Sequence, residues 1–278
     1  MTLFSSVLLG VIQGVTEFLP VSSSGHLAIA EQLLGMNGVS DIPPFFDVLL
    51  HLGTLAAVFV AYWTEIRAMI LELVRGVGDL ARHATPNPLP PARRMILLIL
   101  VGTLPLFLVL PVKDAVEGLG NNLYFVAGAL LVTGCLLWLC DRVASGHKQE
   151  ESASFRDALF VGIGQAIATC PGISRSGTTI SVGCLVGFER PFAVRYSFLM
   201  SIPAILGANL LSLKDALEYG IAADEIPLYL IGVLVAAVVG YACISLLRMI
   251  ARRGKFGVFA YYCWAVGVLT LIGLFARR

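Results

Sequence analysis

The sequence has little charge. Lysine, arginine, aspartate and glutamate make up only 13% of its 278 residues, whereas apolar residues make up 58%. This balance excludes an ordinary soluble domain. The formal net charge of +1 and the lack of a basic tail give no sign of a nucleic-acid partner. Neither a cationic leader nor a small-residue cleavage site precedes the first apolar segment, so we expect no removable signal peptide.

Cysteine is also scarce, and its distribution gives no recognisable metal site. The six cysteines lie mostly within apolar runs and lack the spacing of metal ligands. We interpret them as small core or lipid-facing residues, because a free cysteine behaves largely as a small hydrophobic side chain. Cys170 alone adjoins the polar segments described below.

What the sequence does contain is a series of long apolar segments separated by short polar or proline-containing loops. Their lengths predict an all-α polytopic membrane protein rather than the short alternating strands of an outer-membrane barrel. About six transmembrane helices are expected, near residues 45–63, 95–111, 123–140, 192–213, 226–247 and 256–275. Residues 65–77 carry apolar side chains at helical spacing and predict an amphipathic interfacial helix.

Two further apolar segments are interrupted by polar, turn-prone residues. Residues 3–35 contain PVSSSGH at 20–26, and the segment after residue 155 contains PGISRSGTT at 171–179. Neither half of the first segment reaches the roughly 20 residues that a helix needs to cross the hydrocarbon core. We therefore predict two re-entrant helix-loop-helix hairpins.

The two interrupted segments are versions of one unit. A shift of 152 positions, which carries Gly10 to Gly162, aligns GVIQ with GIGQ and SSSGH with SRSGT. Each unit precedes three crossings, and an odd number inverts the second copy. The sequence thus predicts one membrane domain of two inverted-topology repeats, approximately 1–141 and 155–278, joined by a cytoplasmic loop at 142–154. Both polar loops are expected to meet near the middle of the membrane.

The first unit supplies an acid, hydroxyls and an imidazole. Gln13 and Glu17 are four residues apart, so on a helix they share one face. The adjoining loop carries Ser22, Ser23, Ser24 and His26. Helix capping is an alternative role for each serine. A structural role is an alternative for His26, and packing with a hydrogen bond explains His51 as well as function does.

The second unit supplies an anion site. Arg175 lies within an apolar protein, where a charged side chain indicates function by default. Ser174, Ser176, Thr178 and Thr179 surround it at a predicted helix start, whose free N–H groups favour an anion. The planar guanidinium matches phosphate oxygens. With the acid and imidazole of the first unit, this is the equipment of phosphoryl transfer or phosphate hydrolysis.

A secondary transporter or a lipid flippase is the alternative from another class. Inverted repeats, broken helices and a midplane anion site are also features of carriers. A carrier does not require an acid, hydroxyls and an imidazole beside its anion site, which favours an enzyme. A protein that both dephosphorylates and moves a lipid carrier combines the two.

The segments QGVTEFLPVSSSGH at 13–26 and PGISRSGTT at 171–179 resemble the two signature regions of the bacterial undecaprenyl-diphosphate phosphatases, the bacitracin-resistance family. The resemblance implies a multi-pass enzyme of the bacterial inner membrane. Such an enzyme hydrolyses undecaprenyl diphosphate to undecaprenyl phosphate and inorganic phosphate, and recycles the lipid carrier for peptidoglycan and other cell-wall glycans.

The resemblance also implies roles for individual residues. Glu17 matches the essential acid of the family, and Gln13 stands where the family has Glu or Gln. A divalent cation, Mg²⁺ or Ca²⁺, would rest mainly on Glu17, with Gln13 and substrate phosphates. Arg175 matches the phosphate-binding arginine, and Ser23 and His26 match the residues proposed for nucleophilic or acid–base work. The matching hydroxyl donors around the phosphate are Ser174, Ser176 and Thr179. Ser23, His26 and water stay open as the nucleophile, as do the membrane face of the site, the lipid chain length, lipid flipping and a homodimer.

Overall fold

The architecture is helical, as predicted. A computed structural model describes residues 1–35, 44–82, 86–143, 146–218 and 225–276. Within these ranges the regular elements are helices, and a single β-bridge joins Lys148 to Phe188. The α-helices are α1 Leu3–Phe18, α2 Ser23–Gly35, α3 Pro44–Ala61, α4 Trp63–Ala81, α5 Pro91–Thr103, α6 Lys113–Gly118, α7 Leu123–Arg142, α8 Phe155–Ile167, α9 Arg175–Leu185, α10 Arg190–Glu218, α11 Ile226–Arg253 and α12 Gly257–Ala276.

The chain is a multi-pass membrane protein. Five segments of the described chain are long and apolar enough to cross a bilayer. They are Pro91–Asn121, Leu123–Arg142, Arg190–Leu213, Ile226–Arg253 and Gly257–Ala276. A sixth arises if Phe45–Ala61 and Trp63–Asp79, which meet at an angle of 84°, count as one broken span. The five spans match five of the six predicted crossings, and the sixth, predicted at 45–63, coincides with α3, the first half of the bent pair.

A sharp bend after α3 separates it from the helix predicted to lie at the membrane interface. Helix α4 contains residues 65–77 and turns away from α3 by 84°. Leu73, Val74 and Val77 are exposed along it, whereas Ile66 is buried. Glu72 pairs with Arg93 at the start of α5, with an Oε2–Nη2 distance of 3.1 Å. The helix therefore exposes an apolar face, while Glu72 on another face ties it to the start of α5.

The crossing predicted at 95–111 is not one continuous helix. Helix α5 ends at Thr103, and 3₁₀ turns follow at Leu104–Leu108 and Leu110–Val112 before the short α6. Pro105 and Pro111 explain the change, because proline lacks an N–H donor and disfavours the α conformation at the residue before it. The segment nevertheless extends over 31 residues.

The helices that carry the predicted site residues pack backbone to backbone on long crossings. A Cβ atom at Gly14 of α1 would lie 2.8 Å from the carbonyl oxygen of Ala236 in α11. One at Gly162 of α8 would collide with the carbonyl of Gly102 in α5. Small residues allow such close approach of membrane helices. Helices α1 and α8 are thus fixed by the spans beside them.

Helix α1 has 16 residues and α9 has 11, so neither reaches the length of a crossing. Residues 19–22 separate α1 from α2, and residues 168–174 separate α8 from α9. The helix-loop-helix form predicted for both segments is confirmed.

Candidate active site

The two loops are in contact, as predicted. The backbone N–H of Gly172 donates to Ser24 Oγ at 3.3 Å. In the opposite direction, Ser176 Oγ donates to the carbonyl of Leu19 at 3.4 Å. The first turn of α2 therefore touches the loop before α9, and the first turn of α9 touches the loop after α1. This arrangement joins segments that lie about half the chain apart.

Glu17 is the centre of the site. The residue is only 6% exposed, and its Oε1 forms an ion pair with the guanidinium of Arg175. Its Oε2 accepts hydrogen bonds from Ser23 Oγ at 2.7 Å and from Gln13 Nε2 at 3.2 Å. A buried carboxylate is costly unless it is paired and hydrogen-bonded. Arg175, Ser23 and Gln13 supply the ion pair and the hydrogen bonds that Glu17 requires, so four of the predicted site residues form one cluster.

The cluster leaves one donor and one acceptor unused. Nη1 of Arg175 and Oε1 of Gln13 are buried and have no hydrogen-bond partner within the described part of the chain. Buried polar atoms are nearly always paired, so such exceptions need an explanation. An N–H group on a guanidinium suits an anion, and an amide oxygen beside a carboxylate suits a hard cation.

Ser22 and Ser24 shape the first loop. Ser22 has a left-handed backbone conformation, with φ of +76°, which is uncommon for a residue other than glycine. Its Oγ accepts from the N–H of Gly25 at 3.3 Å and lies 3.3 Å from Ser24 Oγ. The capping role that the sequence left open is therefore present at Ser22.

The hydroxyls of the second unit have mixed surroundings. Ser174 Oγ caps α9 by accepting from the N–H of Gly177 at 3.0 Å. Thr179 Oγ1 donates to the carbonyl of Arg175 at 2.8 Å and lies 2.6 Å from Ser197 Oγ on α10. The Oγ1 of Thr178 is buried without a hydrogen-bond partner in the described ranges. Ser174 and Thr179 thus hold α9 in place in this structure, and contact with a substrate phosphate stays a prediction for them.

Thr133 of α7 is a supporting residue that the sequence did not reveal. Its Oγ1 accepts from the N–H of Ser174 at 3.0 Å and donates to the carbonyl of Gly172 at 3.3 Å. It lies in the interior of a long apolar helix, where a single threonine carries no local signal. The hydroxyl fixes the loop that precedes Arg175.

His26 is placed beside Tyr262 rather than beside Glu17. Its Nδ1 lies 2.7 Å from the carbonyl oxygen of Ser22, and its Nε2 lies 2.9 Å from the hydroxyl of Tyr262. Among the residues that the structure describes, these are the hydrogen-bond partners of its ring nitrogens. Tyr262 lies on α12, and nothing in the sequence near it indicated a contact with His26.

His51 has the hydrogen bond that the sequence left open as its explanation. Its Nδ1 is 3.0 Å from the carbonyl oxygen of Asp47, one turn earlier in α3, and 3.7 Å from the Oδ1 of the same residue. These contacts lie within α3, so they support the structural role of His51.

The cluster holds few protein ligands for a metal ion. Across the described ranges, no group of three or more His, Cys, Asp or Glu side chains could hold a cation. The carboxylate of Glu17 and the unpartnered amide oxygen of Gln13 are the suitable oxygen donors beside Arg175. Two such oxygens fit a hard cation that takes its remaining ligands from water and phosphate.

Comparisons with known proteins identify the family. The family model described as "Bacitracin resistance protein BacA" matches residues 6–269. Undecaprenyl-diphosphatase of Desulforapulum autotrophicum is 42% identical, with 99% of each chain covered. The proteins of the same name from Halothermothrix orenii and Methanosphaera stadtmanae are 41% and 39% identical, with 98% and 97% of each chain covered. The chain therefore belongs to the bacitracin resistance protein BacA family.

Proposed function

We propose that this chain is an integral membrane hydrolase that converts undecaprenyl diphosphate to undecaprenyl phosphate and inorganic phosphate. Family membership and the names of its relatives support this activity. The observation that carries the proposal is the buried cluster in which Glu17 binds both Ser23 and Arg175. In the inner membrane, the reaction returns the lipid carrier to peptidoglycan and cell-wall glycan synthesis and gives bacitracin resistance.

Arg175 is assigned to the diphosphate. One of its terminal nitrogens pairs with Glu17, and the other is unpartnered within the described chain. The N–H groups at the start of α9 add positive potential at the same end of the helix. Donors held in place before the reaction stabilise the charge that develops on phosphate oxygens in the transition state.

Ser23 is assigned as the nucleophile. Its hydroxyl already donates to Glu17 at 2.7 Å, which is the arrangement of a nucleophile and its general base. Oγ bonds to the terminal phosphorus as its proton passes to Glu17, and the bond to the bridging oxygen breaks. Undecaprenyl phosphate leaves with that oxygen and its electron pair.

Water then attacks the phosphoserine, which releases inorganic phosphate and returns the proton to Ser23. The ring nitrogens of His26 bond to Ser22 and Tyr262, so we favour Ser23 over His26 as the attacking group. We assign His26 to proton transfer on the resemblance of its motif to that of the family. Direct attack by water on the diphosphate is the alternative.

A divalent cation, Mg²⁺ or Ca²⁺, would be held by Glu17 and by the amide oxygen of Gln13. The unpartnered Oε1 of Gln13 supports this assignment. The cation would supply positive charge to the phosphate oxygens. The protein ligands are few, so we expect binding to depend on the substrate.

Phosphate release from a polyprenyl diphosphate in detergent tests the proposal. The purified protein is expected to release inorganic phosphate, and a chelator is expected to suppress the release until Mg²⁺ or Ca²⁺ is restored. A protein that acted only as a transporter or flippase would give no release, because moving the lipid breaks no phosphoanhydride bond. A wild-type protein without release under both conditions would therefore rule out the hydrolase.

We further propose that one membrane domain contains two inverted repeats, near 1–141 and 155–278. Equivalent packing supports this, since α1 and α3 both contact α11, and α8 and α10 both contact α5. Equivalent caps also support it, because Ser22 receives the N–H of Gly25 as Ser174 receives that of Gly177. Of the proposed connecting loop at 142–154, residues 144–145 lie outside the described chain.

A homodimer stays a prediction. The glycine-rich stretch of α11 is used within the chain, where Gly232 meets Phe46 and Gly240 meets Phe18. A second copy would therefore have to bind another surface.

A further inference from the structure

His26 and Tyr262 are joined by a hydrogen bond between their ring edges. The imidazole Nε2 and the phenol oxygen are 2.9 Å apart. Their ring centroids are 5.6 Å apart, and the ring planes are 9° from parallel. The two residues are separated by 236 positions in the chain. The contact therefore orients the imidazole from its edge.

The partners of the ring determine its tautomer. The carbonyl oxygen of Ser22, 2.7 Å from Nδ1, can only accept a hydrogen bond, so Nδ1 carries the proton. In the neutral ring Nε2 is then an acceptor, and the hydroxyl of Tyr262 donates to it. The hydrogen bonds thus specify one of the two neutral forms of His26.

Both partners are held by the fold. The same Ser22 carbonyl accepts the backbone N–H of His26 at 3.2 Å, and the left-handed conformation of Ser22 sets the start of α2. On α12, the indole nitrogen of Trp264 donates to the carbonyl of Leu131 at 3.1 Å. Cys263, next to Tyr262, is fully buried with its sulfur 3.8 Å from the carbonyl oxygen of Pro20. Helix α12 is therefore anchored on α7 and on the first loop.

Tyr262 is the more exposed residue of the pair. It is 44% exposed, whereas His26 is half-buried. A tyrosine that only filled the core would not need to place its hydroxyl on a ring nitrogen.

We propose that Tyr262 is a positioning residue for His26. The Ser22 carbonyl fixes the form protonated at Nδ1, and the Tyr262 hydroxyl, by donating to Nε2, fixes the orientation of the ring. This inference rests on the proposed function in one respect, namely that His26 transfers protons during diphosphate hydrolysis. The orientation of the ring by Tyr262 is independent of the reaction.

Nuclear magnetic resonance of protein labelled with ¹⁵N-histidine tests the orientation without substrate. The sequence has four histidines, and a His26→Asn variant assigns the His26 signals. In the wild type we expect a protonated Nδ1 and an Nε2 signal shifted by a hydrogen bond. In Tyr262→Phe, which keeps the aromatic ring and removes the hydroxyl, the Nε2 signal is expected to shift towards that of an unbonded nitrogen. Tyr261→Phe is the matched control, because Tyr261 is exposed and packs its ring on Trp264 instead.

Kinetics test the consequence for the reaction. General acid–base catalysis typically contributes about 100-fold or more, so we expect Tyr262→Phe to lower kcat at least about tenfold with KM unchanged. Tyr261→Phe should behave as the wild type. In a His26→Ala background, Tyr262→Phe should have no further effect, because residues that act through one another are not additive.

Unchanged His26 signals in Tyr262→Phe would overturn the proposal. Independent, additive effects of Tyr262→Phe and His26→Ala on kcat would do the same. If the wild type releases no phosphate, the proposed function fails, and the resonance experiment still decides whether Tyr262 orients His26.

Discussion

At the scale of single residues, the site depends on one buried carboxylate with three partners. Glu17 binds a guanidinium, a hydroxyl and an amide, and two of these partners, Arg175 and Gln13, keep an atom with no hydrogen-bond partner among the residues described. A cluster that served only to neutralise a buried carboxylate would not need partners with spare hydrogen-bonding atoms. The carboxylate at the centre has all its hydrogen bonds, whereas atoms at the edge of the cluster lack them within the described chain. A ligand would bind at that edge.

Arg175→Ala is expected to reduce phosphate release by at least about 100-fold, because it removes a donor that stabilises transition-state charge. Arg67→Ala is the control, since Arg67 is exposed on the interfacial helix. The measurement is initial rate on a polyprenyl diphosphate, with size-exclusion chromatography to verify folding. A folded Arg175→Ala protein with a near-normal rate would contradict the assignment.

Ser23→Ala is expected to abolish a phosphorylated intermediate along with turnover. The wild type, quenched within milliseconds, should carry phosphate on Ser23, because its hydroxyl is bonded to the general base. Ser245→Ala, which removes a hydroxyl that bonds only within α11, should leave the intermediate unchanged. Turnover in ¹⁸O-labelled water without a detectable phosphoenzyme would instead favour direct attack by water.

At the scale of elements, the short helices that carry the site are fixed by the longer spans against which they pack. Helix α1 carries Gln13 and Glu17, and between them in the sequence Gly14 lies against the α11 backbone. A displacement of α1 would move the carboxylate away from Arg175. The position of the acid thus depends on a glycine that touches neither substrate nor metal.

Gly14→Ala is expected to destabilise the protein by about 1–3 kcal/mol, the usual cost of overpacking, and to lower activity. Its new Cβ would meet Ala236, Val239 and Gly240 at 2.8–3.0 Å. Gly128→Ala is the matched control, because no described atom lies within 4 Å of a Cβ at that position of α7. Thermal unfolding followed in detergent gives the comparison, and equal midpoints would show that α1 has room to move.

The start of α8 is held by an acid outside the crossings. Asp157 and Ser154 form reciprocal caps, and Lys148 donates to Asp157 at 2.9 Å. Burial raises the pKa of Asp157, but the hydrogen bonds from Ser154 and Lys148 outweigh it and hold the pKa below its ordinary value of 3.8. This interaction stabilises the fold above that value and is lost as the pH falls through the lower folded-state pKa.

Asp157→Asn should therefore lower the unfolding midpoint at pH 7, and its difference from the wild type should shrink as the pH falls below 3.8. Glu151→Gln, on the exposed loop nearby, is the control and should show little change. The measurement is thermal unfolding across a pH series. A difference that stays constant with pH would mean that the carboxylate charge is not responsible.

At the scale of the whole molecule, charge predicts the orientation. Basic residues concentrate near 67–94 and 248–255, and such loops face the cytoplasm. In a cysteine-free background, Lys255→Cys should react with an impermeant thiol reagent only from the cytoplasmic side. Asp114→Cys should react only from outside, since one predicted crossing, 95–111, separates it from the basic loop at 67–94, and three separate it from Lys255. Both positions are exposed, so labelling of both from one side would contradict the orientation.

The sequence predicted features that depend on local pattern, and missed those that depend on distant contacts. Apolar length identified the crossings, and the 152-residue shift identified the two broken segments. Pro105 and Pro111 were visible in the sequence, but how they would divide the crossing into α-helical and 3₁₀ parts was not. Thr133 and Tyr262 reach the site only because α7 and α12 pack against the loops. No spacing rule connects residues so far apart.

In the enzyme without substrate, the carboxylate of Glu17 is bound to Arg175 and therefore competes with substrate phosphate for the guanidinium. Before any lipid arrives, an internal anion occupies part of the guanidinium, so a ligand must share or displace it rather than enter a vacant cationic site. A diphosphate has several charges and a long apolar tail, so it displaces the carboxylate more easily than free phosphate, which has fewer charges and no tail. We therefore expect inorganic phosphate to be a weak inhibitor, and the site to clear itself after each turnover.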